Sequence, residues 1–459
     1  MIEHETQPRH LFSALLAATF VVSRLLFHWM GVRFDASGLD WYWQYLDIEL
    51  LKNDLVRSVF YQHAQPPLFN LFLGAVLKVF PTAYPVAFSL LFKALSLALY
   101  FLLFRILCRI RFRAGIAYFA ATLFMLSPGA VLYENWLFYT WPTAVVLAFA
   151  AHRLLRYGQT RRVADALLYF AALGIVCLTR SMFHPAYLAA AVIPLLFMAS
   201  PARRRLLPGA VAVLLVVGLL FAKNLVVFGF FGSSSWMGMN LWKVVPTGGK
   251  DQQIAESRVA QTEPFSAIAE YPDAFRKVPD AFASIPAVAA ETKQNGHPNL
   301  NHFGYIAVSD AYKTKAIELI AGDPAGYAGI VAKAWGLYLA PAPSYPLLSK
   351  DNLAALKGYR SWWIPADSRI WVPAGYLLLA GGLAAQLRRL SAGERTLFLF
   401  CAGTVLYVAL LGNVLEHGEN MRFRVQTDPL LYLAALVAAR RPLERLRLRP
   451  KNRLVREMV

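Results

Sequence analysis

Long apolar runs alternate with short polar turns over most of this chain. They cover Leu11–Met30, Pro67–Phe80, Tyr84–Leu107, Gly115–Leu132, Leu137–Leu155 and Val163–Leu178. They continue with Met182–Met198, Leu206–Phe231, Ile370–Leu387, Thr396–Leu415 and a shorter Pro429–Ala439. A helix that crosses a bilayer needs roughly 20 apolar residues, and most of these runs approach that length. The pattern predicts an all-α polytopic membrane protein with about 10–12 transmembrane helices, interfacial helices and a loop subdomain on the outer face.

Two segments interrupt the rhythm. Residues 31–66 are rich in aromatics and acids, and residues 232–369 mix Pro, Gly, Asn, charges and aromatics. The chain therefore divides into a membrane module at 1–231, with an acidic outer loop at 31–66, a loop subdomain at 232–369, and membrane helices with a basic tail at 370–459. Within the first loop, "LDWYWQYLDIELLKNDLV" from Leu39 has helical apolar spacing. It predicts one interfacial helix, with Trp and Tyr at headgroup depth and Asp47 and Glu49 on the wet side. "DPAGYAGIVAKAWGLYLAP", Asp323–Pro341, is apolar on one face yet carries Lys333, and predicts a second interfacial helix. Pro67–Phe80 is short and opens on a Pro-Pro pair, which suits a partial or tilted element and leaves open whether it is a full span. Counted as a full crossing, it gives the wrong parity for the basic cluster at Arg105.

Composition identifies the solvent. The 459 residues are 58% hydrophobic and 16% charged, against about a quarter charged in soluble domains. The formal charge of +19 would suggest nucleic acid in a soluble protein. Here the Lys and Arg stand in clusters between apolar runs, at Arg105, His152, Pro201, Leu387 and in the tail, which is the pattern that orients membrane proteins. Nucleic-acid binding is excluded on that ground. The positive-inside rule puts these clusters in the cytoplasm and the intervening turns outside. The start, "MIEHETQPRH", carries two glutamates, and Arg24 interrupts the run behind it, so the first run is expected to be a retained helix rather than a cleaved signal. Cys108, Cys177 and Cys401 lie in or at the ends of apolar runs, and no Asn-x-Ser/Thr sequon occurs. Both features fit a multi-pass protein of the bacterial inner membrane.

The candidate chemistry gathers on the outer face. Asp35 and Asp40 follow the first run, with His63 and Gln65 beside the Pro-Pro pair. Glu134 ends one outer turn, Arg180 and His184 flank the next, Lys223 lies near the outer end of a run, and Arg422 and Arg424 precede the last one. Ionisable groups at membrane depth are costly unless they pair or line a polar cavity, so they default to function. The bland alternatives are solvated acids and, for Arg180 and Lys223, snorkelling to the interface. Arg422 and Arg424 stand two residues apart, and the following "VQTDP" favours an extended approach in which both guanidiniums share a face. Carboxylates can act as general bases, and Arg and Lys can hold a phosphate. No metal-spaced His/Cys/Asp set, nucleotide loop or nucleophile elbow occurs, so an activated group would come from a lipid carrier.

The first helix, the acidic loop and "HAQPPLFNLFLG" from His63 resemble the integral-membrane glycosyltransferases of the C-type fold, the protein O-mannosyltransferase and lipid A aminoarabinose transferase group. "AKNLVVFGFFGSSSWMGMNLW" before the long loop and "GENMRFRVQTDPLLYL" before the last helix extend the resemblance over most of the chain. It implies a polyprenyl-phosphate sugar donor, an acceptor that is a lipid, glycan or protein, inverting displacement, and an aspartate base in the first outer loop. That role falls on Asp35, with Asp40 next. His63, Gln65, Glu134, Arg180, His184, Lys223, Arg422 and Arg424 are the expected substrate-binding residues. The chain lacks the family's common Asp-Glu pair in that loop, which leaves the base and any divalent-metal requirement open. A transporter or flippase, with charges that bind cargo without chemistry, is the rival reading. It lacks repeated halves and paired broken helices. A non-catalytic assembly partner is the third.

Overall fold

The computed structural model describes residues 7–192, 204, 206–246, 272–366, 371–387 and 390–447. The end of the run to Met198, most of the Pro201 cluster, residues 247–271 of the loop, part of the Leu387 cluster and the tail past 447 lie outside the described residues. Among those described no strand forms. Two isolated bridges occur, Asp35 with Trp136 and Thr292 with Pro298.

The N-terminal module contains α1 (Gln7–Trp29), α2 (Gly38–Trp41), α3 (Ile48–Asn53), α4 (Leu55–Phe60), α5 (Leu68–Val79) and α6 (Tyr84–Arg109). It continues with α7 (Ala114–Leu126), α8 (Pro128–Glu134), α9 (Thr140–Thr160), α10 (Val163–Thr179), α11 (Pro185–Val192) and α12 (Leu207–Phe228). The loop subdomain contributes α13 (Met237–Trp242), α14 (Gly304–Gly322) and α15 (Pro324–Leu339), and its described residues also form shorter helices, Lys350–Ala355 and Lys357–Ala366 among them. The C-terminal part holds α16 (Val372–Gly381), α17 (Ala392–Leu415), α18 (Asn420–Val425) and α19 (Asp428–Arg447).

By length and composition, four helices among the described residues can cross a membrane: most of α1, α6, α12 and α17. The bent pair α7–α8 makes a fifth if it is one span. This is fewer than the 10–12 expected, because several apolar runs form helices that are shorter or carry more charge. α9, for example, bears Arg153 and Arg156. The 61° bend between α7 and α8 falls at Ser127-Pro128. Pro128 restricts Ser127 to an extended conformation, and the Ser127 hydroxyl then caps α8 by accepting from the Ala130 N–H. Only 28% of the α1 span and 33% of the α12 span is buried, against 61% of α17. α1 and α12 are thus peripheral, and their exposed Leu25, Leu26, Leu215 and Leu219 suit a hydrocarbon surround. α9 is central, buried along most of its length between α6, α10, α17 and α19.

The basic turns converge at one end of the bundle. The Arg109 guanidinium, ending α6, donates to Gln159 Oε1, near the end of α9, at 2.7 Å. Arg440 on α19 donates to the Ile110 carbonyl and pairs with Glu394 at the start of α17. Arg153 and Arg156 close on Asp165 at 3.1 and 3.4 Å. At 12 residues, α5 spans about 18 Å, short of a hydrocarbon core of about 30 Å. Without a crossing there, α1 and α6 run in opposite directions and the Arg105 cluster falls at the same end as the others. The parity conflict disappears.

The first loop departs from expectation. In place of one interfacial helix, the chain folds as α2, a turn, α3 and α4. Asp47 causes one break by capping α3, its carboxylate accepting from the Glu49 N–H at 2.8 Å. Its other oxygen accepts from the Gln294 N–H at 2.6 Å, so Asp47 is buried rather than on a wet side. Tyr42, Tyr45 and Leu46 pack in the main core instead of at headgroup depth. α15 buries Ile330, Ala334 and Tyr338 along one face and leaves Lys333 exposed. That fits the one-sided helix read from its sequence.

Candidate functional site

At the end opposite the basic turns, the C-terminus of α10, the turn after α17, α13 and α14 enclose an open cavity of about 830 Å³. α10 stops at Thr179, and Arg180 turns to an extended conformation, which carries its side chain out of the helix register and into the cavity wall. The guanidinium is 4% exposed. Its Nη1 donates to Gln426 Oε1 at 2.5 Å, and it lies 4.3 Å over the Phe423 ring and 5.3 Å over Tyr139. No carboxylate among the described residues stands within ion-pair distance. Burial pulls its pKa down to about 10, so it remains a cation at neutral pH.

The turn after α17 supplies the opposite charges. Gly418 sits at φ +109°, a left-handed conformation that a side chain would strain. Asn420 fastens this turn: its Nδ2 reaches Asn413 Oδ1 and the Glu416 carbonyl, both at 2.9 Å, and its Oδ1 accepts from the Gly418 N–H. Glu416 thereby faces Lys243 from α13's C-cap at 2.8 Å. Glu419 accepts from Arg422 Nη2 at 2.5 Å and from the Tyr345 hydroxyl at 2.8 Å. Both carboxylates line the cavity, as does Arg422. Burial raises the Glu416 pKa, with Lys243 opposing. Burial also pushes on Glu419, but Arg422 and Lys243 outweigh it and hold that carboxyl below its usual range. Glu419 has a second aspect. It also lines a cavity of about 600 Å³ with Lys333, Tyr345 and His417.

The residues expected from the sequence distribute around this frame. Gln65, Arg180, His184 and Arg422 line the larger cavity. His63 lies behind it, fully buried, with Nδ1 2.9 Å from the hydroxyl of Ser235, which is in the wall. Burial, with help from Lys223, pushes its pKa down to about 3, so the ring is neutral. The backbone N–H groups of His63 and Ala64 both donate to Asn301 Oδ1, which ties this strip to the loop subdomain. Lys223 donates to the carbonyls of Phe60 and Gln62 at 3.1 and 2.7 Å and holds the same strip from below.

Asp35 and Asp40 do not line either cavity. The Asp35 carboxylate accepts from the Ser37 N–H and hydroxyl, and its backbone bridges to Asn135 and Leu137. It acts electrostatically on Tyr42, as do Arg422 and Glu419. Asp40 is exposed. Glu134 is buried elsewhere, at the end of α8, against Arg24 of α1. The expected pairing of Arg422 and Arg424 on one face is corrected. The stretch is the helix α18, on which positions two apart diverge. Arg424 points away, to Asp428 at 3.2 Å and the Ala340 carbonyl at 2.9 Å.

The expected site residues did not include Lys243, Tyr345, Glu416, Glu419 or Asn420, which complete the charge cluster. Glu416, Glu419 and Asn420 had a local signal, their place just before Arg422. Among the described residues, no three His, Cys, Asp or Glu side chains gather to hold a metal ion. In comparisons with known proteins, no family model matches the chain and no curated protein does either.

Proposed function

We propose that this protein is a membrane glycosyltransferase that moves a sugar from a polyprenyl-phosphate donor to an acceptor at the bundle end opposite the basic turns. The observation that carries the reading is Arg180. A buried guanidinium without a carboxylate, facing a cavity, calls for an anion, because an uncompensated buried charge costs several kcal/mol. A guanidinium offers a phosphate two parallel N–H donors. The positive-inside rule makes this end the outer face, the periplasm of a bacterial inner membrane.

The acceptor hydroxyl attacks the anomeric carbon from the side opposite the phosphate, forming one C–O bond as the other breaks. The bond's electron pair leaves on the phosphate oxygen, held by Arg180 and Arg422. The hydroxyl proton passes to a carboxylate. The resemblance gives that role to Asp35. The cavity favours Glu416, whose Oε2 accepts no hydrogen bond among the described residues and whose burial makes it the stronger base. Glu419, taken up by Arg422 and Tyr345, positions the cluster.

Purified protein in lipid nanodiscs should release polyprenyl phosphate from one or a few of a panel of polyprenyl-phosphate sugars when acceptor is supplied. Arg180→Gln should lower kcat/KM for donor by about 10–100-fold, the worth of a charged hydrogen bond, with Arg180→Lys between. Movement of the lipid across the bilayer without release of lipid phosphate would establish the flippase instead.

A further inference from the structure

A third cavity, of about 310 Å³, lies apart from the other two, between α1, the N-terminal half of α6 and the end of α8. Its charged lining is Arg24, Arg33, Lys93 and Glu134, with His28, Ser89 and Asn135 as further polar groups. Arg24, inside the apolar α1 span, holds Glu134 at 2.5 Å, and this buried pair cancels. Two cations remain. Lys93 Nζ donates to Ser89 Oγ at 2.5 Å, and no carboxylate among the described residues is within ion-pair distance. Arg33 Nη1 donates to the carbonyls of His28 and Val32, also neutral partners. The lining therefore carries two positive charges beyond its one carboxylate.

The surroundings are apolar and outward-facing. Leu25 and Leu26 on α1 and Val86 and Leu90 on α6 are each more than half exposed, and Trp29 is 84% exposed. Exposed leucines on spanning helices face acyl chains, and an exposed tryptophan marks headgroup depth. Lys93 lies nine residues into α6, about 14 Å along its axis from Tyr84. Its bond to Ser89, one turn back, directs the ammonium towards the level of Arg33. A lysine that merely snorkelled would sit alone at the surface. Here a second uncompensated cation shares its cavity, inside a lipid-facing wall.

We infer that this cavity binds the phosphate headgroup of an anionic lipid, entering sideways from the bilayer, with Lys93 and Arg33 as its charge partners and the acyl chains against Leu25, Leu26, Val86 and Leu90. The site is separate from the transfer cavity, and the inference stands whether or not the chain transfers sugar.

Native mass spectrometry of the delipidated protein in mild detergent tests it directly. Phosphatidylglycerol and phosphatidic acid should bind in one saturable site, and Lys93→Gln or Arg33→Gln should each weaken that binding roughly 10-fold, as loss of a charged phosphate contact predicts. Phosphatidylcholine and diacylglycerol should bind weakly and indifferently to the substitutions. Inorganic phosphate should compete poorly, because it lacks the acyl contacts. The inference is overturned if diacylglycerol binds as well as phosphatidic acid, or if both variants bind anionic lipid like the wild type. Complete displacement by millimolar phosphate would reassign the site to a free anion. Lipid-free melting curves identify a variant that has unfolded, and the Arg33→Gln arm, at the more exposed position, then decides the question alone.

Discussion

Glu416 carries a prediction that its neighbours do not. Burial lifts its pKa, and a base works only when deprotonated, so transfer should fall as the pH drops through that raised value. The acid limb of kcat/KM against pH should therefore lie above the ordinary glutamate value of about 4.3. Glu416→Gln should remove that limb and lower the rate by about 100-fold or more, the usual range for loss of a general base. Should Glu416→Gln keep both rate and limb while Asp35→Asn loses activity, the base is in the first loop. Glu419 is held ionised by Arg422, and its charge helps to raise the Glu416 pKa, so Glu419→Gln should move the limb to lower pH without abolishing it. At this scale residue types are more legible in the chain than partners. Glu134 was visible as an acid at membrane depth, and Arg24 as a break in an apolar run. Their pairing across 110 positions was not visible, because nothing local records a contact made by two helices folding together.

At the scale of elements, the contact between α13 and α14 fixes one wall of the larger cavity. Gly238 lies so close to α14 that an added Cβ would meet the Ser309 carbonyl oxygen at 1.7 Å, and its N–H donates to the Ser309 hydroxyl oxygen at 3.0 Å. Backbone cannot yield as a flexible side chain does. Gly238→Ala should thus destabilise the subdomain by about 1–3 kcal/mol, the usual range for overpacking. Melting in detergent would register the loss, and unchanged melting would show that the two helices can separate freely. Apolar periodicity made the long helices legible, α6 and α12 nearly to their ends. It failed in the first loop, where apolar spacing at Leu39–Val56 suggested one helix. Capping by Asp47 and burial of the aromatics against Trp136 and Phe138 overrode that spacing. At α18 the following "VQTDP" suggested an extended approach, but the stretch is helical and sends Arg424 away from Arg422.

For the whole molecule, the meeting of basic turns at one end is the feature most open to direct test. In a chain with Cys108 replaced, cysteines at Thr160 and Lys315, both exposed, should label from opposite sides of the membrane with an impermeant thiol reagent. Lys315→Cys should react in intact spheroplasts and Thr160→Cys only after permeabilisation. Equal labelling would overturn the two-ended arrangement. The basic clusters made this polarity legible from the start, and the short α5 removes the parity conflict that the count of runs created. The two cavities that meet at Glu419 add a thermodynamic consequence. A guest in the smaller compartment that drew away the Tyr345 hydroxyl would leave Glu419 leaning harder on Arg422, and so change how that guanidinium greets a guest in the larger one. Linkage makes the effect mutual: whatever factor one occupant imposes on the other's affinity, it receives in return.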